Sequence, residues 1–253
     1  MVKIYAVGTA GSGKSTFIGA FAEWLEERGF RFSVINLDPG ADELPYEPDI
    51  DIRERFTLPE IMKEYGLGPN GAQIVGADMV ALEIDKIKEE LERTAYDYAL
   101  IDTPGQLELF AFRGSSTEIT RRLGDEDAML AFLFDPVISK EPSGFASLLM
   151  LSATVHFRFQ LPFINLLGKS DLLSPEELDR IMDWSTGDDS LYQALKEQKD
   201  MRGHFSFEIF KAMESIGTYR RVFPLSSVTG EGLPDVYTVA QEIFGAGEDL
   251  SAD

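Results

Sequence analysis

The chain has 253 residues, no cysteine and a formal net charge of −21 at pH 7. This length suits one α/β domain with insertions, and the lack of cysteine excludes disulfides and cysteine-ligated zinc. The negative charge would repel a phosphate backbone, so direct nucleic-acid binding is not expected. No run of 18 apolar residues is present, so no membrane span is expected. The first residues begin the first predicted strand, so no signal peptide is expected, and the cytoplasm is the expected compartment.

The first predicted element is a buried strand over residues 3–7, and a glycine-rich segment with a helical pattern follows it. The segment reads Gly8-Thr9-Ala10-Gly11-Ser12-Gly13-Lys14-Ser15 and matches the phosphate-binding pattern G-x-x-x-x-G-K-[S/T]. Its backbone N–H groups and the dipole of the following helix predict a cradle for nucleotide phosphates. Lys14 is expected at the terminal phosphates and Ser15 on Mg²⁺. The predicted nucleotide contacts in this segment are Gly11, Ser12, Gly13, Lys14, Ser15 and Thr16.

A second apolar run, residues 32–37, ends at Asp38-Pro39-Gly40. Carboxylates at the ends of parallel strands face the ligand crevice of such sheets. Asp38 is therefore predicted either to bind in the Mg²⁺ shell or to act on the attacking water. The alternative is a structural turn, which Asp-Pro-Gly also suits.

Residues from about 39 to 94 are too many for a simple crossover between strands and predict an insertion. Thr57-Leu58-Pro59-Glu60 predicts the start of a helix, with Thr57 as its cap and Glu60 returning a hydrogen bond. Gly66 predicts the end of that helix, because glycine adopts the left-handed conformation that closes many helices.

Gly68-Pro69-Asn70 follows, and its composition favours a tight turn. A long amphipathic helix is then predicted from about Asp78. Its apolar residues are expected to face the core, with a dimer contact as the alternative. They are Met79, Leu82, Ile84 and Ile87.

A third strand, predicted over residues 98–101, is followed by Asp102-Thr103-Pro104-Gly105-Gln106. Behind a buried strand and downstream of a phosphate loop, this sequence fits the Asp-x-x-Gly element of GTPases. Asp102 is predicted to hold Mg²⁺ through water, and the Gly105 N–H to sense the γ-phosphate. Gln106 stands where many GTPases carry the glutamine that orients the attacking water. An ordinary turn is the alternative.

Strands are also predicted over residues 128–134 and 163–167, and the second of them leads into Gly168-Lys169-Ser170-Asp171. Guanine-specific sites usually read Asn-Lys-x-Asp here. Asp171 would accept from the guanine N1–H and amino group, and the Lys169 stem would lie along the base. Gly168 lacks the asparagine side chain, which removes a contact to the other edge of the base and weakens the prediction of guanine selectivity. After a last strand, residues 221–225, Ser227 is placed to offer a backbone N–H to the guanine oxygen.

The alternation of buried strands with helical patterns predicts an α/β fold with a mainly parallel sheet and helices on both faces. We assign residues 1–253 to a single three-layer P-loop NTPase domain. It would carry the insertion at about 39–94 and a helical insertion at about 172–217. Ser174-Pro175-Glu176-Glu177 is a strong helix start within the second insertion.

The ordered set of motifs, including Gly68-Pro69-Asn70, resembles the GPN-loop GTPases over nearly the full chain. The resemblance implies hydrolysis of GTP to GDP with Mg²⁺ by a homodimer. It also implies that Asn70 reaches across the dimer interface towards the γ-phosphate, and that Gln106 and Glu108 help to place the water. Eukaryotic relatives are associated with RNA polymerase assembly and nuclear import, which implies a protein client.

The combined prediction is a homodimeric, Mg²⁺-dependent GTPase that acts as a nucleotide-controlled switch for protein complex assembly. Two alternatives remain: a P-loop phosphotransferase or ATPase that uses ATP, and a nucleotide-binding switch with negligible intrinsic turnover. The predicted catalytic residues are Lys14, Asp38, Asn70, Asp102, Gln106 and Glu108, the metal ligands are Ser15, Asp38 and Asp102, and the remaining nucleotide contacts are Gly105, Lys169, Asp171 and Ser227.

Overall fold

The structure is a computed structural model that describes residues 1–107, 110, 114–124, 126–186, 189–198, 208 and 221–245. Seven strands form its central sheet. They are β1 (Val2–Gly8), β2 (Phe32–Asn36), β3 (Ile50–Asp51), β4 (Tyr98–Asp102), β5 (Ala128–Phe134), β6 (Phe163–Leu167) and β7 (Val222–Pro224). Their order across the sheet is β3-β2-β4-β1-β5-β6-β7, and every paired strand is parallel to its neighbour.

Helices connect the strands in the described part of the chain. They are α1 (Lys14–Glu26), α2 (Leu58–Tyr65), α3 (Pro69–Glu92), α4 (Gly114–Leu123), α5 (Pro136–Ser139), α6 (Pro142–Phe159), α7 (Pro175–Ser185), α8 (Ser190–Glu197) and α9 (Leu233–Phe244). None of these described helices is both long enough and apolar enough to cross a membrane.

Apolar residues cover both faces of the sheet because successive side chains of a strand point to opposite sides. Tyr5 and Val7 of β1 belong to a core cluster that includes buried residues of α3, α4, α6, α7 and α8. Ile4 and Ala6 of the same strand belong to a second cluster with α1 and α9. The predicted three-layer α/β class is confirmed. The short edge strand β3 was not predicted, because two residues carry no periodic pattern.

Helix α2 begins and ends as its sequence predicted. The Glu60 carboxylate accepts from the backbone N–H of Thr57 at 2.9 Å and from its hydroxyl at 2.8 Å. Gly66 closes the helix in the left-handed conformation, with φ 63°. These local signals were sufficient because capping depends only on residues within one turn of each other.

Helix α3 begins at Pro69, not near Asp78, so the predicted start was wrong. Gly68 is the extended residue before the helix, and Pro69 occupies the first turn, where its missing N–H costs no hydrogen bond. The Gly68-Pro69-Asn70 segment is therefore the start of a 24-residue helix and not a tight turn. Gly71 and Gly76 lie inside this helix and lower its local propensity, which explains the late predicted start.

The apolar stripe of α3 is only partly core. Ile84 and Ile87 are fully buried and Met79 packs against the same cluster. Leu82, however, is 79% exposed, which corrects the expectation that it faces the core. The late helical insertion is described only in part: Ser174 caps α7 as predicted, and α8 follows, whereas residues 199–207 and 209–217 lie outside the described residues.

Candidate functional site

The candidate site lies at the carboxyl edge of the sheet, where β1 sits between β4 and β5. The connection after β1 leads towards β2, whereas the connection after β5 leads the other way, towards β6. Such a reversal opens a crevice at the carboxyl ends of the strands. The strand register places Asp102 level with Ala6 on one side and with Asn36 on the other. It also pairs Asn36 with Asp51. Polar groups far apart in sequence therefore form one row along this edge.

The phosphate loop joins β1 to α1 in the conformation that the glycine pattern predicted. Gly11 and Gly13 have φ values of 76° and 98°, which side-chain-bearing residues rarely adopt. At Gly8, a Cβ atom would lie 2.7 Å from the Leu133 carbonyl oxygen of β5, so glycine is required for the close approach. Helix α1 starts at Lys14, which aims its positive end at the loop.

Lys14 is buried, and its ammonium group lies inside the loop. Its Nζ donates to the carbonyl oxygens of Gly8 and Thr9, each at 3.0 Å, and to that of Gly105 at 3.3 Å. Burial lowers the pKa of Lys14, and the nearby carboxylates of Asp102 and Asp38 oppose that change. The cation therefore links the phosphate loop to the Asp-x-x-Gly segment.

Asp38 contacts the same segment from the other side. Its Oδ2 accepts from the Gly105 N–H at 2.8 Å, and its Oδ1 accepts from the Gly40 N–H at 2.8 Å. The Asn36 side chain accepts from the Asp38 N–H at 3.0 Å. The turn that Asp-Pro-Gly suggested is present, and its carboxylate also faces the crevice.

An Asn36–Asp51–Arg53 network holds the loop that follows Asp38. Asn36 Nδ2 donates to Asp51 Oδ1 at 2.8 Å, and the Arg53 guanidinium binds the same carboxylate at 2.6 Å. Arg53 also donates to the carbonyl oxygens of Ala41 and Asp42. Burial alone would raise the pKa of Asp51, but the hydrogen bonds from Arg53 and Asn36 outweigh it and lower the pKa.

Asp102 lies at the end of β4 with 2% of its surface exposed. Its Oδ2 accepts from the Tyr46 hydroxyl at 2.7 Å, whereas its Oδ1 is buried without a hydrogen-bond partner among the described residues. Burial raises the pKa of Asp102, and the neighbouring Ser15, Tyr46 and Lys14 partly offset this.

Three oxygen-bearing side chains could hold Mg²⁺ here: Ser15, Asp102 and Asp38. Mg²⁺ in nucleotide sites is bound by one or two protein oxygens together with phosphates and water. The buried Oδ1 of Asp102 is an unused acceptor of the required kind. Among the described residues, no cluster of three or more acidic, histidine or cysteine side chains forms a separate metal site. The donor set fits a metal that the nucleotide itself helps to bind.

A cleft of about 260 Å³ opens beside the Asp-x-x-Gly segment. Asp38, Gly105 and Gln106 line it, and the Gln106 side chain is exposed. Gln73 of α3 lines it too, and its Oε1 is buried without a hydrogen-bond partner. Sequence reasoning missed Gln73, since nothing in the pattern of a helix marks one polar residue as facing a cleft. Glu108 lies outside the described residues.

A second cleft, of about 250 Å³, lies where the base was predicted. Its lining includes Gly13, Thr16, Lys169, Asp171 and Ser227. Lys169 donates to the Gly11 carbonyl oxygen at 2.6 Å, so its stem crosses from this cleft to the phosphate loop. Asp171 Oδ1 accepts from the Ser226 hydroxyl at 2.7 Å, which fixes the carboxylate. The structure therefore brings the predicted base-binding residues together.

Gly168 packs closely against the phosphate loop, a contact that the sequence did not predict. A Cβ atom at this position would lie 2.8 Å from the Ser12 carbonyl oxygen in the phosphate loop. The Gly168 N–H donates to the Phe134 carbonyl oxygen at 3.1 Å. The backbone at Gly168 thus packs directly on the phosphate loop, in the place where an asparagine side chain would brace it.

Gly68, Pro69 and Asn70 are exposed at the start of α3. None of the three lines the two clefts described above. Unlike Asp38 and Gln106, Asn70 does not line the cleft beside the Asp-x-x-Gly segment.

Tyr46 is the other residue that sequence reasoning missed. Its partner Asp102 is 56 positions away, and an isolated tyrosine in an acidic loop carries no recognisable pattern. The prolines Pro45 and Pro48 beside it indicate only an extended segment.

Comparison with known proteins gives matches over most of the chain. The family model described as "conserved hypothetical ATP binding protein" matches residues 6–246. The GPN-loop GTPase PAB0955 of Pyrococcus abyssi is 36% identical over 247 residues, which cover 97% of this chain and 98% of that protein. The GPN-loop GTPase 1 of Schizosaccharomyces pombe is 30% identical over 244 residues, which cover 92% of this chain and 66% of that protein. The crystal structure of PAB0955, described as a GTPase in apo form, superposes with a TM-score of 0.87 at 35% identity and covers 97% of this chain and 98% of that one.

Restoring the asparagine of other guanine sites should harm this protein. We expect Gly168→Asn to lower the free energy of unfolding by about 1–3 kcal/mol and to weaken nucleotide binding, because its Cβ would press on the Ser12 carbonyl. Urea unfolding and nucleotide titration measure the two effects. Gly168→Ala is the matched control, because it adds the same Cβ without the amide. Unchanged stability with tighter guanine binding in Gly168→Asn would contradict the packing argument.

Removing the buried charge of Asp102 should stabilise the protein in the absence of nucleotide. Burial raises the pKa of the Asp102 carboxyl in the folded protein above its value in the unfolded chain. Its contribution to the free energy of unfolding is therefore fully present below the unfolded pKa and is lost as the pH rises through the folded pKa. Asp102→Asn should therefore have a higher free energy of unfolding than wild type at neutral pH. The difference between the two proteins should be smaller at acidic pH, where the wild-type carboxyl is itself protonated. Urea unfolding across pH measures this, with the exposed Asp179→Asn as the control. A neutral-pH loss of stability in Asp102→Asn would show that the carboxylate is net favourable.

Proposed function

This chain belongs to the GPN-loop GTPase family, and from that membership we propose that it hydrolyses GTP to GDP and phosphate in a Mg²⁺-dependent reaction. The reaction would be an in-line attack of water on the γ-phosphate. The observation that carries the proposal is the meeting of three motifs at one sheet edge: the phosphate loop, the buried Asp102 carboxylate and the base pocket with Asp171.

Lys14 and the loop backbone would bind the phosphates. The Lys14 ammonium already lies within the loop and donates to two carbonyl oxygens of the loop and to that of Gly105, so a phosphate oxygen would compete with those carbonyls for its protons. Charge-assisted hydrogen bonds of this kind are stronger than bonds to neutral carbonyls. The same cation would offset the charge that develops on the leaving phosphate.

Ser15, Asp102 and Asp38 supply the oxygens for Mg²⁺, which when bound neutralises charge on the β- and γ-phosphates. Ser15 stands in the first turn of α1, beside the phosphate loop. The buried Oδ1 of Asp102 would accept from a metal-bound water. Asp38 and Gln106 line the neighbouring cleft and would orient the attacking water.

The contact between Asp38 and Gly105 supports a role as a nucleotide-controlled switch. The Gly105 N–H donates to Asp38 Oδ2, and this N–H is the group expected to bind the γ-phosphate. A γ-phosphate would compete with the Asp38 carboxylate for that single donor and would also repel it. GTP and GDP would then favour different positions of the loop after β2, and a protein client could distinguish them. The strong acidity of the chain suits a basic surface on such a client.

We further propose that the active form is a homodimer in which Asn70 of the partner subunit completes each site. In support, Asn70 is exposed at the start of α3 and does not line the clefts of its own chain. An amide placed near the γ-phosphate from a second copy would donate to its oxygens in the transition state.

Guanine is favoured over adenine because of Asp171. A fixed carboxylate accepts from the N1–H and amino group of guanine, whereas adenine offers no matching pair of donors. The matching family model nonetheless carries an ATP-binding description, so an ATPase or ATP-using phosphotransferase is the second candidate. The base preference decides between them.

Calorimetry and phosphate release test the proposed reaction together. With Mg²⁺, wild type should bind a non-hydrolysable GTP analogue much more tightly than the ATP analogue, and should release phosphate from GTP with water as the only acceptor. Lys14→Ala should lose phosphate release by about 100-fold or more, the loss typical of removing a main charge-stabilising donor. Lys86→Ala, an exposed lysine on α3, is the control and should match wild type.

Two results would count against the proposal. Undiminished GTP turnover in a folded Lys14→Ala protein would exclude the phosphate loop as the catalytic site. Equal or preferred binding of the ATP analogue would favour the ATP-using alternative and would show that Asp171 does not select the base.

Mixed subunits test the shared site. A heterodimer of Asn70→Ala and Lys14→Ala subunits, purified through two different affinity tags, should contain one site with both intact residues. We expect it to recover up to half of the wild-type turnover, while each single-variant homodimer stays nearly inactive. A purified heterodimer that is no more active than the mean of the two homodimers would refute the contribution of Asn70 across the interface.

A further inference from the structure

The Asp102 carboxylate has two oxygens in different states. Oδ2 is occupied by the Tyr46 hydroxyl, which donates to it over 2.7 Å. Oδ1 is buried and has no hydrogen-bond partner among the described residues. A carboxylate with one pinned oxygen cannot rotate to exchange the two oxygens without breaking a hydrogen bond to a charged group.

Tyr46 is held in place by contacts other than the one to Asp102. Its segment crosses α1 so closely that a Cβ at Gly19 would lie 3.1 Å from the Pro45 carbonyl oxygen and 3.6 Å from the Tyr46 Cβ. The Tyr46 side chain also packs against the apolar cluster that contains α1. The hydroxyl is therefore positioned by the packing of the loop on the helix, and Asp102 receives it.

We propose that Tyr46 is a positioning residue for magnesium binding: its hydroxyl holds Oδ2 of Asp102 and thereby directs Oδ1 towards the metal waters. The role rests on the proposed nucleotide-hydrolysing function. Pre-ordering one oxygen removes the conformational cost of fixing the carboxylate at the moment of binding. It also fixes the loop after β2 to the end of β4, whereas the Asp38–Gly105 bond fixes the same loop to the segment that follows β4.

Tyr46→Phe removes the hydroxyl and keeps the ring that packs on α1. Binding of a fluorescent GDP should be measured over a series of Mg²⁺ concentrations and again with the metal chelated by EDTA. The Mg²⁺ concentration that gives half of the metal-dependent gain in GDP affinity should be about tenfold higher for the variant than for wild type. A shift of this size is expected for the loss of one hydrogen bond to a charged group. Its affinity in EDTA should equal that of wild type, which also shows that the nucleotide site is folded.

Tyr98→Phe is the matched control. Tyr98 is fully buried at the start of β4, the strand that ends at Asp102, and its hydroxyl accepts from Gln241 Nε2 at 2.7 Å. The control variant thus also loses one hydrogen bond of a tyrosine hydroxyl. Tyr98 is four residues from Asp102 along β4, which at the usual rise of a strand places it roughly 13 Å from the site. Its Mg²⁺ dependence should match wild type.

Three outcomes would overturn the role of Tyr46. An unchanged Mg²⁺ dependence in Tyr46→Phe would show that the hydroxyl does not act on the metal. Tighter Mg²⁺ coupling would show that the hydroxyl competes with the metal for Asp102. Equal losses in Mg²⁺ and in EDTA would indicate a structural role in the nucleotide site. The failure of wild type to bind any guanine nucleotide would differ from all three, because it would overturn the proposed function first.

Discussion

The parallel alignment of β1 between β4 and β5 is the constraint on which the rest of the structure depends. Parallel strands end at the same edge, so the phosphate loop after β1 and Asp102 at the end of β4 must meet there. The close approach of β5 to Gly8 then leaves no room for a side chain at the start of the loop. The chemistry of the site thus follows from the packing of three strands.

The site brings cationic groups together with its carboxylates in a strongly acidic molecule. The chain carries a net charge of −21, yet its crevice gathers Lys14, Lys169 and the positive end of α1 around the phosphate loop. Burial strengthens the interactions of Lys14, because charges in a low-dielectric interior are screened little, whereas Lys169 is partly exposed. The same burial raises the pKa of Asp102, so the carboxylate is costly to the folded protein unless a cation is near. Such a cost is typical of groups kept for function rather than for stability.

The loop between β2 and β3 is tied to the site at two places. Asp38 bonds the Gly105 N–H, and Tyr46 bonds the Asp102 carboxylate. The Asn36–Asp51–Arg53 network fixes the base of this loop, where the strand register already pairs Asn36 with Asp51. The segment between the two attachments is short and is braced at its base.

The sequence by itself determined the features that depend on neighbouring residues: the phosphate loop, the caps of α2 and α7, the positions of six of the strands and the order of motifs that identifies the family. Tertiary structure alone decided the contacts between distant segments. Tyr46 meets Asp102, and Gly168 meets Ser12, because of how the loops pack and not because of any pattern in the chain. Likewise, the exposure of Leu82 is not indicated by the apolar pattern of α3. The physical reason is the same in each case: a cap or a glycine turn is satisfied within a few residues, whereas the partner of a buried polar group is selected by the whole fold.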